Sequence, residues 1–149
     1  MDISRYSDDY FMREALKEAR KAFDKNEVPI GAVIACQNNI IARAHNLTET
    51  LNDPTAHAEM QAFTSACNYL GAKYLIDCTL YVTIEPCVMC AGAAFWSQIT
   101  RIVYGAADPK RGYSTTGLNI FRPKIQICSG ILENDCSEII KKFFSEKRI

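Results

Sequence analysis

His57 and Glu59, two residues apart, and Cys87 and Cys90, three apart, are the residues of this chain whose types and spacing could do chemistry together. A Cys-x-x-Cys at a helix start places two sulfurs on one face, with β-carbons about 5–6 Å apart. The helix dipole and free amides there favour the thiolate, the form that binds metal. A histidine nitrogen as third ligand completes a set that suits zinc rather than calcium or magnesium, which take oxygen. Three protein ligands leave one tetrahedral position for water, the pattern of a catalytic rather than a closed structural site. Zinc lowers the pKa of such a water from about 15.7 toward about 7. Glu59 is the residue to take that proton and pass it to a leaving nitrogen. Residues two apart on an ideal helix diverge by about 200°. His57 is therefore expected where an incoming loop meets the helix, so that its ring and the Glu59 carboxylate face one cavity. A Cys-x-x-Cys alone serves a structural zinc or a redox pair as readily; the His-x-Glu upstream is what points to catalysis.

These residues need elements to hold them. Ser7 followed by Asp8 and Asp9 reads as a helix start, and Phe11, Ala15, Ala19, Ala22 and Phe23 carry an apolar stripe to about Lys25. Ile30–Cys36 and Ile40–Ala44 read as two strands joined at Gln37-Asn38-Asn39. A helix from about Ala56 to Leu70, with Met60, Phe63 and Cys67 inward and Gly71 closing it, opens on the His-x-Glu pair. Cys78–Ile84 is a β-branched strand, after which Pro86 starts a small-residue helix over Val88–Ser97, followed by a strand over Arg101–Tyr104. A short strand near Lys124–Cys128 and a helix from about Glu133 to Ser145 finish the chain. Strand, helix, strand implies a parallel pair, hence an α/β fold with a mixed sheet and helices on both faces. Residues 1–149 form one expected domain.

The composition, 48% hydrophobic and 23% charged, is that of a globular protein. No segment approaches the roughly eighteen apolar residues of a membrane span, and a cytoplasmic location is expected. Seven cysteines, an odd number, are expected as reduced thiols, with Cys36, Cys67, Cys78, Cys128 and Cys136 in the core. His45 is expected to face solvent. Formal net charge is zero, yet residues 101–149 carry nine Lys/Arg against five Asp/Glu. Lys110, Arg111, Arg122 and Lys124 cluster around one loop, and Lys141, Lys142, Lys147 and Arg148 mark the last helix. These are the candidate phosphate contacts, with Tyr113, Phe143 and Phe144 as candidates for stacking or for packing.

Together, His57-Ala58-Glu59 and Pro86-Cys87-Val88-Met89-Cys90 match the signature of zinc nucleobase deaminases. The sequence resembles the bacterial tRNA-specific adenosine deaminases along Glu27–Val33, Asn46, Asp53–Glu59 and Leu80–Ala93. The resemblance implies a cytidine deaminase-like three-layer α/β/α sandwich around a mixed five-stranded sheet. It implies one zinc per subunit and a homodimer that binds a tRNA anticodon loop near the dimer interface. The reaction implied is hydrolytic conversion of the wobble adenosine to inosine by attack at C6 of a flipped-out adenine. It further implies that Asn46 hydrogen-bonds the target nucleoside, that the Ala58 amide contacts the base, and that Val28 and Pro29 line the pocket. Asp108 would contact the preceding nucleotide. After Asp108 the sequence departs from the family, with a shorter loop that lacks histidine. Two rival readings stay open: a free-base deaminase of guanine or cytosine, and a noncatalytic zinc-stabilised RNA-binding domain.

Overall fold

The computed structural model describes residues 7–147; Arg148 lies outside them. Helix α1 (Asp8–Asp24) is capped by Ser7, whose hydroxyl accepts the Tyr10 N–H at 3.2 Å. Strands β1 (Gly31–Cys36) and β2 (Asn39–His45) form a hairpin whose turn residues, Gln37 and Asn38, have φ of 52° and 65°. Two positive φ values define the tight type I′ turn, which Asn tolerates. Helix α2 (Ala58–Leu70) ends on Gly71 in the left-handed region. Then follow β3 (Cys78–Ile84), α3 (Val88–Ser97), β4 (Arg101–Ala106), β5 (Gln126–Ser129) and α4 (Glu133–Lys147). The sheet order is β2-β1-β3-β4-β5, with β1 antiparallel to both neighbours and β3, β4 and β5 parallel. It is the expected mixed five-stranded sheet.

Alternation along the strands divides the core into two layers. Ala32, Ile34, Leu80, Val82 and Ile102 pack against Ala58, Ala62, Phe63, Ala66, Ala91 and Ala94 of α2 and α3. Val33, Ala35, Tyr81 and Val103 pack against Phe11, Met12, Ala15 and Cys136 of α1 and α4. Small residues let α1 approach closely: a Cβ on Gly31 would strike the Ala15 carbonyl oxygen and the Ala19 nitrogen. Among the described residues no helix is long and apolar enough to cross a membrane.

Several local expectations are corrected. In α2 the buried set is Ala58, Glu59, Ala62, Phe63 and Ala66, while Met60 and Cys67 are only partly covered. Pro86 precedes α3 rather than starting it, because Cys87 takes the cap position with ψ 175°. Cys78 and Cys136 are fully in the core, whereas Cys36, Cys67 and Cys128 are partly exposed. His45 does not face solvent: its side chain is 11% exposed, with Nδ1 3.2 Å from Glu18 Oε1 and Nε2 3.1 Å from Lys25 Nζ.

Candidate active site

The starts of α2 and α3 meet beside the C-terminal end of β3. His57 and Cys87 are both helix caps with extended backbone, φ −70° and ψ 155° for His57, φ −74° and ψ 175° for Cys87. That geometry removes the 200° problem. The His57 side chain leaves from the incoming loop, while Glu59 leaves from the first helical turn, and both reach the same space. His57 Nδ1 lies 3.6 Å from Cys87 Sγ and 3.6 Å from Cys90 Sγ, with all three donor atoms within 4.8 Å of one another. A tetrahedral zinc at about 2.0–2.1 Å from nitrogen and about 2.3 Å from sulfur separates N and S by about 3.6 Å. The donor set and its spacing therefore fit zinc. The Pro54 backbone also favours the protonated His57 ring, from the side where an outer contact orients a ligating imidazole.

Electrostatics divides the two thiols, with Cys87 the one held as thiolate. The Cys87 thiol is pulled down to about 4, first by the hydrogen bond it receives from Cys90 and also by His57. His57 is raised in turn, chiefly by its hydrogen bond to Cys87. Cys90 is pushed up, by the Cys87 sulfur and by burial, and the neighbouring Glu59 carboxylate adds to the rise. Glu59 is 3% exposed, and burial pushes its carboxyl up to about 7. A carboxyl balanced near neutrality is suited to both accepting and donating a proton.

Around this centre, Asn46 is 4% exposed, its amide donating to the Val28 carbonyl at 3.4 Å and its oxygen accepting the Thr48 N–H at 3.3 Å. Ala58 is the first residue of α2, so its amide is one that the helix itself cannot pair. Val28 is partly exposed and Pro29 fully buried. Asp108 spends one oxygen on its own loop, accepting the Lys110 and Arg111 N–H groups at 3.1 and 3.0 Å.

Sequence reasoning missed two buried carboxylates that hold the loops beside the site. Glu27, 0% exposed, accepts from the Glu49 and Thr50 amides and from the Thr50 hydroxyl at 3.0, 2.7 and 2.6 Å. Glu85, 4% exposed, accepts from the Asp108 and Ser114 amides and from the Ser114 hydroxyl at 3.1, 3.0 and 2.6 Å. For Glu85 the available signal was an acid that ends an apolar strand just before a proline; Glu27, which follows Asp24-Lys25-Asn26, carried no such signal.

The four cations expected to cluster are divided. Lys110 and Arg111 sit on the loop that Glu85 holds. Arg122 folds back on α3, stacking over the Phe95 ring at 4.8 Å and donating to the Phe95 carbonyl at 3.1 Å. Lys124 precedes β5 at the end of the sheet where Gln126 pairs with Arg101, away from the site. Lys110 instead shares a groove of about 540 Å³ with Ile140, Lys141, Phe144 and Ser145. Phe144 is 45% exposed there, whereas Phe143 is buried against Phe23. Tyr113 packs edge-on against Phe121 and Tyr104.

The model of the MafB19-like deaminase family matches residues 6–148. The tRNA-specific adenosine deaminase of Bacillus subtilis is 49% identical over 146 residues, covering 95% of this chain and 91% of that protein. A structure from a study of A-to-I editing by tRNA:A34 deaminases superposes with a TM-score of 0.81 at 43% identity, covering 87% of this chain and 98% of the other. The guanine deaminase of Bacillus subtilis stands further off, at TM-score 0.64 and 35% identity, with coverage of 81% and 72%. The likeness thus runs through the last third of the chain, beyond Asp108, as well as through the metal-site motifs. On these grounds the chain belongs to the MafB19-like deaminase family and, within it, to the tRNA-specific adenosine deaminases.

Proposed function

We propose that this protein is a zinc-dependent hydrolase that deaminates adenosine to inosine at the wobble position of a tRNA anticodon. The observation that carries the reading is the His57, Cys87 and Cys90 triangle with the buried Glu59 carboxyl against it, in a chain sharing 49% of its residues with a tRNA-specific adenosine deaminase. His57 Nδ1 and the sulfurs of Cys87 and Cys90 would hold one zinc per subunit. Zinc bound there supplies Lewis-acid activation of water at neutral pH. Glu59 accepts a proton from the attacking water and delivers it to the exocyclic nitrogen, which leaves as ammonia. Asn46 and the Ala58 amide hold the flipped-out nucleoside, Val28 forms the pocket wall with Pro29 behind it, and Asp108 positions the preceding nucleotide.

The partner is a tRNA anticodon loop, with Lys110, on the loop that carries Asp108, and Lys141 and the exposed Phe144, which share its groove, as phosphate and stacking contacts. Arg111, Arg122 and Lys124 would serve more distant phosphates. The protein is expected to work in the cytoplasm as a homodimer. In α3, Val88, Gly92 and Trp96 fall on one face at four-residue intervals, and Val88 and Trp96 are 52% and 75% exposed. So much apolar surface on one helix is suited to a second copy of the chain. Light scattering is expected to give twice 16.7 kDa, and a mass of 16.7 kDa would remove the dimer.

The deciding assay gives the zinc-loaded protein an anticodon stem-loop with adenosine at the wobble position and, separately, free guanine, cytosine, adenosine and cytidine. Inosine is expected in the stem-loop alone, with affinity that falls steeply as salt rises. Turnover of a free base alone would replace the tRNA reading with base salvage, and ammonia from no substrate would leave a zinc-stabilised RNA-binding domain.

A further inference from the structure

Cys36 and Cys78 lie outside the metal centre and face each other directly across the antiparallel β1–β3 pair. Two features make theirs a non-hydrogen-bonded position. Cys36 flanks the two-residue turn opposite Asn39, which directs its backbone N–H and C=O toward β2. The Cys78 carbonyl accepts the Thr100 N–H at 3.2 Å and its own N–H donates to the Leu75 carbonyl at 3.2 Å, so neither group is spent on β1. At such positions the α-carbons are about 4.5 Å apart and the side chains approach most closely. That separation falls within the range of about 4.4–6.8 Å that disulfides span. Both side chains lie on the sheet face covered by α2 and α3, and the Cys78 thiol donates to the Ile76 carbonyl oxygen at 3.7 Å, beside the turn that leads into β3.

The two thiols differ in access. Cys36 is partly exposed at the hairpin end, whereas Cys78 is 0% exposed, and burial pushes its thiol up to about 12. Cys67, the third thiol of this region, is turned aside, its Sγ 3.6 Å from the Lys73 carbonyl oxygen to which it donates. Six residue steps along the strand carry Cys78 to Ile84, about 20 Å at 3.3 Å per step, and Cys87 lies beyond.

We propose that Cys36 and Cys78 form a reversible thiol–disulfide site that takes hydroperoxides as oxidant, at the end of the sheet remote from the zinc ligands. The hydroperoxide transfers one oxygen to the Cys36 sulfur, giving a sulfenic acid, and its own O–O bond breaks to release water or an alcohol. The Cys78 sulfur then attacks the Cys36 sulfur. The S–S bond forms, the S–O bond breaks, and the hydroxyl leaves with the Cys78 proton as water. Two electrons pass in all from the two thiols to the peroxide. A dithiol reverses the step by exchange through a mixed disulfide.

The test treats the full-length, zinc-loaded protein with hydrogen peroxide, alkylates it under denaturing conditions and maps its peptides by mass. The expected result is a 2 Da loss carried by one linked pair of peptides, Cys36 to Cys78, reversed by dithiothreitol. Cys36→Ser is expected to abolish the linkage. In Cys78→Ala, Cys36 is expected to stop at the sulfenic acid, which dimedone traps. Recovery of Cys36 and Cys78 as free thiols from oxidised wild type, a Cys36 disulfide to another cysteine, or a Cys36 sulfinic acid would each overturn the proposal.

Discussion

Glu59→Gln is expected to fold, to bind zinc with wild-type stoichiometry and to convert the wobble adenosine about 10³-fold more slowly, inside the 10²–10⁴-fold range of positioned proton transfer. The carboxyl is 3% exposed and touches the Cys90 thiol. An amide of the same shape fills that space and still accepts a hydrogen bond, so packing and metal geometry are preserved. It cannot accept a proton from water and return it to a nitrogen. Single-turnover formation of inosine, measured beside the metal content, separates the two roles. A Glu59→Gln protein within tenfold of wild type would show that another group moves the proton. Loss of zinc in that variant would instead make Glu59 a support for the metal ligands. A similar loss in His57→Ala would not carry the same information, because there the metal and the chemistry fail together.

Much of this centre was legible in the sequence because its parts are local. Residues 57–59 and 86–90 fix donor types and spacing, and the helix periodicity that follows each segment places both at helix starts. The apparent conflict between His57 and Glu59 was itself informative, since only an extended residue at position 57 resolves it, and ψ is 155° there. The non-local parts were not legible. Nothing in the sequence states that Glu27 meets Thr50 or that Glu85 meets Ser114, because hydrogen bonds across more than twenty residues leave no periodic trace. His45 failed as a prediction for the same reason: its burial comes from Glu18 and Lys25, on and beside a helix twenty or more residues earlier. The cations around residues 110–124 looked like one patch because they are near in sequence. The chain between them leaves the site and returns along α3 to the opposite end of the sheet.

Glu85→Ala is expected to lower stability by about 2–4 kcal/mol, since three donors lose a buried charged acceptor and each such loss costs about 1–3 kcal/mol unless water replaces it. The larger consequence is for RNA binding. Glu85 joins the strand leading into Cys87 to the loop carrying Asp108 and Lys110, and the fit is tight, because a Cβ on Gly112 would land on its carboxylate. Gly112→Ala therefore separates loop from carboxylate, and because Gly112 also forms a backbone bridge with Cys87, zinc content is measured beside activity in this variant. Both variants are expected to retain zinc and to keep kcat within a few-fold, while KM for the anticodon stem-loop rises at least about tenfold, the mark of lost binding rather than lost chemistry. Ser114→Ala removes one of the three donors and leaves both amides bound, so a smaller rise is expected. If Glu85→Ala instead lost zinc and kcat together with KM unchanged, the carboxylate would be supporting the start of α3 and the metal site, and the loop would be held by other contacts.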